Sequence, residues 1–378
     1  MKYAQESLFE YMSRTNDLRE VLCSAREIPD TGVFNFITKS FTPVPLYDAH
    51  IYTGVVRNVR LFKRKYLLTS DCRIIAEGMT HSDYFINWPG FDESGLGQAS
   101  LLVASNAVLD IPEDPAEQLI DESVIFIGGD TIVEPNWAHW FFEHLLKLRA
   151  LELSGVDLKI PIVVSHRLPK RFLAWGNLLA GRELNWLPID LSKTLRFREA
   201  WMSSCPAYKD RDRNPHLWRD GFMHLRNTLG VADLQANREQ VTFFSRQSSR
   251  FRRAINEEDL FAIANSLLSA KKVSLGELSV DQQLAVARQT STAIFFGGAD
   301  GPMSLFMPDN SKVLEVTAPQ HGAFFTCVAF LALTRGSYIR LVAERFVSDY
   351  QGAHPLNRDY TVNREAFFNI VKEIAVRK

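Results

Sequence analysis

The hydrophobic positions of this chain change rhythm along its length. A helix-spaced opening gives way to short apolar runs of β character, among them residues 50–56 and 66–70, with polar turns between them. From Ser123 the pattern sharpens. SVIFIGGD reads as a buried strand ending in glycines, NWAHWFFEHLLKLRALEL as an amphipathic helix, and residues 160–164 as a second apolar strand. These three make a β-α-β unit, which a helix over 170–179 and a strand at 186–187 extend.

After Cys205 the polar stretch KDRDRNP cannot bury a face, so it is the natural place for a domain boundary. The reading is therefore one α/β domain over 1–205, with a β-rich start, and a second over 206–378. A helix over 217–229 follows the boundary. Regular alternation then runs to the end: strand 241–244, helix 257–269, strand 273–275, helix 280–289, strand 293–296, short helix 303–307, strand 313–316, helix 324–333, strand 338–342 and a last helix over 364–376. Such alternation predicts a doubly wound parallel sheet, whose ligands bind at the carboxyl ends of the strands.

Bulk properties narrow the function. A length of 378 residues suits two domains. The 43 basic and 44 acidic residues leave no global field of either sign, which argues against nucleic acid as a partner. The opening MKYAQESLFEYMSRTNDLREV has no continuous apolar core of a signal peptide, so a cytoplasmic location is expected. The longest apolar stretches, such as FFTCVAFLAL, fall short of the roughly 20 residues of a membrane span. A peripheral association with a membrane or a polysaccharide-assembly complex is compatible with that. Cys23, Cys72, Cys205 and Cys327 are scattered without CxxC spacing, which supports neither a disulfide framework nor a zinc site.

Four segments carry candidate chemistry. In NWAHWFFE, Asn136 as an N-cap places His139 in the first helical turn, with Glu143 four residues on and on the same face. The positive helix end favours a neutral, proton-accepting imidazole, and Glu143 can orient it. The competing reading is an interfacial histidine in an aromatic helix; His144 points elsewhere. In SRQSSRFRRAINEEDL, Arg246, Arg250, Arg252 and Arg253 precede a helix capped by Asn256. Guanidinium forks beside a helix N-terminus make a diphosphate cradle, against the alternative of a solvated basic loop.

In AIFFGGADGPMSLFM, Gly297, Gly298 and Gly301 allow the backbone to approach a ligand, and Pro302 opens a short helix. The run is neither GxGxxG nor a Walker sequence. Asp300 reads as a helix cap or as a second acid/base group. In KVLEVTAPQHGAFF, Glu315 closes a buried strand where a carboxylate can accept ribose hydroxyls, and His321 lies in the loop beyond, facing phosphate or solvent. Asp210 and Asp212 form a DxD pair in a linker polar enough that solvation is the simpler reading, and no metal site is expected.

Taken in order, these segments resemble glycosyltransferase family 61, a group that includes bacterial capsular-polysaccharide transferases and eukaryotic xylan and protein O-glycan transferases. The N-Y-Y-H-W-x-x-E helix start of that family corresponds to Asn136, His139, Trp140 and Glu143. Its strand-S-R followed by R-R and N-E corresponds to Ser245, Arg246, Arg252, Arg253, Asn256 and Glu257. The later part looks similar to residues 278–283, the Gly297 loop and residues 314–316. Where the family commonly has H-G-A-G-L-T-N, this chain has Gly297-Gly298-Ala299-Asp300-Gly301-Pro302-Met303, so any role of that histidine and asparagine does not carry over.

The resemblance implies a GT-B fold: two Rossmann-like α/β domains with parallel sheets facing a central cleft, acceptor groups in the first and donor groups in the second. It implies an inverting, metal-independent transfer from a nucleotide-sugar donor, a nucleoside-diphosphate sugar, to a carbohydrate acceptor. On that reading His139 is the base, oriented by Glu143, with Asp300 as the second choice. Arg246, with Arg252 or Arg253 and the Gly297, Gly298 and Gly301 backbone, meets the diphosphate; Glu315 meets the ribose and His321 lies near the phosphates. The rivals are a non-catalytic carbohydrate-binding or assembly protein that kept the fold, and a nucleotide-dependent epimerase or hydrolase on similar sheets.

Overall fold

The computed structural model describes residues 2–6, 8–16, 19–21, 32–35, 40–43, 51–62, 66–71, 73–75, 109–110, 117–128, 137, 140–191, 193–203, 215–231, 234, 240–249, 252–298, 300–318, 330, 333–334, 336–346 and 358–376. The chain divides into two compact units. One comprises Met1–Ala25 and Tyr47–Gly221, the other Arg26–Leu46 and Phe222–Lys378. The KDRDRNP segment lies outside the described residues. The division falls within the helix Pro215–Thr228.

The first unit is built on a sheet of ten strands among the described residues. Strands Trp186–Ile189, Ile162–Ser165, Gln118–Gly128 and Leu195–Ser203 run parallel in that order. The β-α-β unit read from Ser123 onward is present, with the helices Leu146–Leu153 and Lys170–Ala180 as crossovers. Beyond Leu195–Ser203 the sheet turns antiparallel, through Ile51–Phe62 and Tyr66–Leu68. The expectation of a parallel sheet in this unit thus holds for one half only. Short turns can join antiparallel neighbours alone, whereas parallel neighbours need a crossover.

One helix departs from its expected form. The chain makes a π-helical turn over Trp140–Leu145 before the α-helix Leu146–Leu153 begins. In this widened turn Trp140, Phe141, Phe142 and Leu145 are all buried, a denser load than one face of a regular amphipathic helix carries. Trp140 packs on Phe172, Phe141 on Trp137 and Trp175, and Phe142 on Trp218. Trp186 packs so closely on the second helix that a Cβ at Gly176 would fall 2.4 Å from its ring, and its indole N–H donates to Asn177.

The second unit holds a sheet of seven strands among the described residues. Strands Val241–Phe244, Lys271–Val273, Thr292–Phe296, Lys312–Thr317 and Ser337–Val342 are parallel to their neighbours. Numbered one to five in chain order, they lie 2-1-3-4-5 across the sheet. Gly32–Asn35 adds a parallel strand beside Ser337–Val342, and Ser40–Pro43 closes that edge antiparallel. Among the described residues the alternation read from the sequence is present, except that the second strand starts two residues earlier than expected and residues 275–277 form a 3-10 turn. The expected helix over 324–333 lies largely outside the described residues.

Val241, Phe243, Ile294, Phe296, Leu314, Val316 and Leu341 point to one face of this sheet. The helices Glu257–Leu268 and Arg364–Val376 cover them with Leu260, Ala264, Phe367, Ile370 and Ile374. On the other side lies the 3-10 turn Gly301–Phe306, fully buried, with the helix Val280–Gln289 against it. Arg226 locks this turn in place. Its guanidinium, 0% exposed, donates to the carbonyls of Leu305 and Met307 and pairs with Asp309 at 2.7 Å. Burial draws its pKa down, and Asp309 opposes that.

Candidate functional site

In a 2-1-3-4-5 sheet the crossovers leave the first strand in opposite directions. A crevice therefore opens between the carboxyl ends of the first and third strands. Here those strands are Val241–Phe244 and Thr292–Phe296, in register with Phe244 opposite Phe295. The first runs on into Ser245 and Arg246, the third into Gly297 and Gly298. Two segments far apart in sequence are thus brought side by side at the switch point of the sheet.

Arg246 lies across this point. Its side chain is almost fully buried, and a Cβ on Gly298 would sit 2.2 Å from its Nη1. A side chain at residue 298 would therefore displace the guanidinium, so the glycine serves the arginine as well as the turn. Gly298 has φ 156°. Gly297 donates its N–H to the Val316 carbonyl at 2.6 Å, which ties the loop to the next strand. Gly301 is buried at the head of the 3-10 turn, where Pro302 takes an early position as expected.

Asp300 makes no side-chain capping bond to that turn. Its carboxylate lies 3.6 Å from Arg246 Nη1. Asp300 thus holds the N-cap position of the turn while its carboxylate pairs with the buried Arg246 at the switch point.

The arginine segment splits in two directions. Arg252 has φ 58°, uncommon for a residue with a Cβ. Burial, followed by the charge of Arg246, holds its pKa down to about 10. Arg253 turns to Asp359, to which its Nε and Nη2 donate at 3.0 and 2.7 Å. Its backbone and that of Ala254 are pinned to Tyr360. Of the two, Arg252 is the one electrostatically coupled to Arg246. Tyr360 is buried in the same neighbourhood, which raises its pKa and leaves it a neutral donor aimed at the Val316 carbonyl.

The helix Glu257–Leu268 starts where the sequence placed it, with Asn256 at the N-cap position, but without a side-chain cap. Asn256 spends its amide on the backbone of Val362, accepting one bond and donating another, and makes no capping bond. The first turn holds Glu257, Glu258 and Asp259. Three carboxylates offset the positive end of the helix, so the arginines and the glycine loop, not this helix end, carry the attraction for an anion.

Glu315 sits on the face opposite the Leu314 and Val316 side chains, directly across the ladder from Arg340. The two pair at 3.1 Å in a buried setting, and Arg340 also donates to Thr317. Burial raises the Glu315 pKa; Arg340 and then Tyr338 act against it. Arg340 carried no signal in the sequence, because only strand register reveals it as a partner.

In the first unit, His139, Asn136 and the Glu143 side chain lie outside the described residues, as does His321 in the second. The argument that set His139 and Glu143 on one face assumed α-helical spacing, whereas the π-helical turn begins at the next residue. His144 is buried and donates from Nδ1 to the Ile127 carbonyl at 2.9 Å, with Lys147 Nζ 3.5 Å from the same oxygen. It is thus a structural anchor at the end of a parallel strand, in keeping with the incidental part read for it.

One comparison with known proteins covers this region. Residues 137–314 match the glycosyltransferase 61 family. The match runs from the aromatic helix start of the first unit to the strand bearing Glu315, and so contains the whole switch point. Glycosyltransferase 61 is the family whose motifs the sequence resembles. No curated protein matches the chain. Among the described residues no group of three or more His, Cys, Asp or Glu is placed to hold a metal ion, and no helix is long and apolar enough to cross a membrane.

Proposed function

We propose that this protein is an inverting glycosyltransferase that moves a sugar from a nucleoside-diphosphate donor to a carbohydrate acceptor. The observation that carries this reading is Arg246 laid over Gly298 at the switch point, within the span of the glycosyltransferase 61 match. The proposal includes a GT-B division of labour, with donor groups in the second unit and acceptor groups in the first. Its support is that each unit has its own α/β sheet.

In the proposed reaction the acceptor hydroxyl oxygen attacks the anomeric carbon of the donor sugar. His139 takes the hydroxyl proton, oriented by Glu143. The bond from that carbon to the diphosphate oxygen breaks as the new glycosidic bond forms, and the diphosphate leaves with the electron pair. Arg246 and Arg252, with the amides of the Gly297–Gly301 loop, meet the charge that develops on it. Glu315 contributes by holding the strand end with Arg340, and a ribose contact would use whichever carboxylate oxygen remains accessible. Asp300 is the second candidate for the base.

Two variants test the assignment together. His139→Ala should lower turnover by roughly a hundredfold or more while diphosphate affinity stays near wild type. Arg246→Ala should weaken nucleoside-diphosphate binding by roughly tenfold to a hundredfold and leave nucleoside binding nearly intact, the loss expected of a charge-assisted contact. Equal losses for nucleoside and diphosphate would remove Arg246 from the diphosphate site. Near wild-type turnover of His139→Ala would move the base to Asp300.

The Arg246–Asp300 pair is the observation that favours a non-catalytic relative, since a carboxylate already partners the arginine. Donor hydrolysis by the purified chain would exclude that reading.

A further inference from the structure

The turn that carries Arg246 is held from behind by a single carboxylate. Glu257, the first residue of the helix Glu257–Leu268, is 1% exposed. One of its oxygens accepts the Ser245 hydroxyl at 2.5 Å and the other accepts the Arg246 backbone N–H at 3.0 Å. Lys272 Nζ, on the adjacent strand, lies 3.7 Å from it. Ser245 is tied to that strand as well, its N–H donating to the Val273 carbonyl. The loop between Arg246 and Glu257, which contains Arg252, is therefore closed at its base by two hydrogen bonds to one group.

Alternation along the extended chain sends the Ser245 side chain toward Glu257 and the Arg246 side chain the other way, onto Gly298 and Asp300. Fixing the backbone N–H of Arg246 fixes the direction in which its side chain departs. A carboxylate suits this task because both oxygens are acceptors, and hydrogen bonds to a charged acceptor are short and strong. A glutamine could satisfy only one donor with its oxygen and would turn an NH2 group toward the other.

We propose that Glu257 is a positioning residue that aims the Arg246 guanidinium at the donor diphosphate. This rests on the reading of Arg246 as the diphosphate ligand. Glu257 itself touches no substrate in this assignment: its backbone contacts act through Arg246, and its effect on binding passes entirely through that side chain.

The test is a double-mutant cycle on the full chain, with inorganic pyrophosphate as the probe and calorimetry as the readout. Glu257→Gln should weaken pyrophosphate binding by about tenfold, the scale of one displaced charged contact. In an Arg246→Ala background the same substitution should cost nothing further, because the group it positions is gone. Additive losses would overturn the proposal and leave Glu257 a general support of the fold, as would unchanged affinity in Glu257→Gln. Wild-type protein that does not bind pyrophosphate, or Arg246→Ala that binds it as well as wild type, would overturn the diphosphate reading itself, and the positioning role with it. If Glu257→Gln does not fold, as judged by its thermal transition, Ser245→Ala replaces it in the cycle. That variant removes one of the two bonds and keeps the charge, so a smaller loss that again vanishes in the Arg246→Ala background is expected.

Discussion

The turn after Phe244 and the helical turn that starts at Trp140 both follow parallel strands, and both sit where the sequence suggested chemistry. They are built from opposite materials. Around Trp140 the contacts are rings: Trp137, Phe141, Phe172 and Trp175 pack within 5.5 Å of one another between neighbouring centroids. Around Arg246 they are charges, with Asp300 in front, Glu257 behind and Arg252 beside it. Apolar packing is close but non-directional and sets stability. A charged cluster is sensitive to direction and sets what the site can hold. Perturbing the first should change how well the protein folds, and perturbing the second what it binds.

The largest expected effect tests the aromatic side. Trp175 is fully buried, and Trp175→Ala should cost about 3 to 5 kcal/mol of stability in denaturant unfolding. Any folded fraction should bind nucleoside and diphosphate in the wild-type ratio. A selective loss of diphosphate affinity would blur the contrast between the two regions.

Gly298→Ala probes the charged side by space alone. The new Cβ would meet the far end of a flexible side chain, so Arg246 can move aside at modest cost to folding. Diphosphate affinity should nevertheless fall by roughly tenfold, as the guanidinium leaves its place. Titration of both variants against pyrophosphate would show it. Wild-type affinity in Gly298→Ala would mean that the close approach of Arg246 to the loop has no bearing on binding.

The smallest effect is one of pH. Burial and the neighbouring Arg246 lower the pKa of Arg252 to about 10. A bound diphosphate would favour the charged guanidinium and raise that pKa. Affinity should therefore be level below the free-state value and decline as pH rises through about 10, where Arg252 must take up a proton to bind. Arg252→Gln should bind more weakly and lose this decline. A decline that persists unchanged in Arg252→Gln would assign it to another group.

Much of this organisation is legible in the sequence, and the failures are instructive. Strand and helix alternation from Val241 onward was readable because buried strands and amphipathic helices impose different hydrophobic periods. The glycine loop and the Ser245-Arg246 pair stood out as motifs. Asn256 and Asp300 stand at the N-cap positions read for them, but neither side chain makes the capping bond that the local pattern suggests. Each is instead claimed by a distant partner, Val362 and Arg246 respectively. The acidic first turn after Asn256 was visible in the letters EED, and its effect on the helix end follows from charge alone. The π-helical turn at Trp140 was not legible, because a row of aromatics satisfies an α-helical pattern until the rings must be packed.

By itself, then, the sequence determined the local elements, their order and the residue types offered at each strand end, all of which depend on neighbours within a few positions. The tertiary structure alone decided which strand ends meet. Parallel strands are joined by crossovers whose lengths say nothing of register, so only the assembled sheet sets Arg246 beside Gly298 and Glu315 opposite Arg340. The same holds for Arg253, whose partner Asp359 lies at the far end of the unit's sequence, and for Glu257, whose carboxylate finds Ser245 and Arg246 only once helix and strand are packed. Charge at this site is allotted by three-dimensional proximity, and proximity between remote segments is a property of the fold that no local pattern encodes.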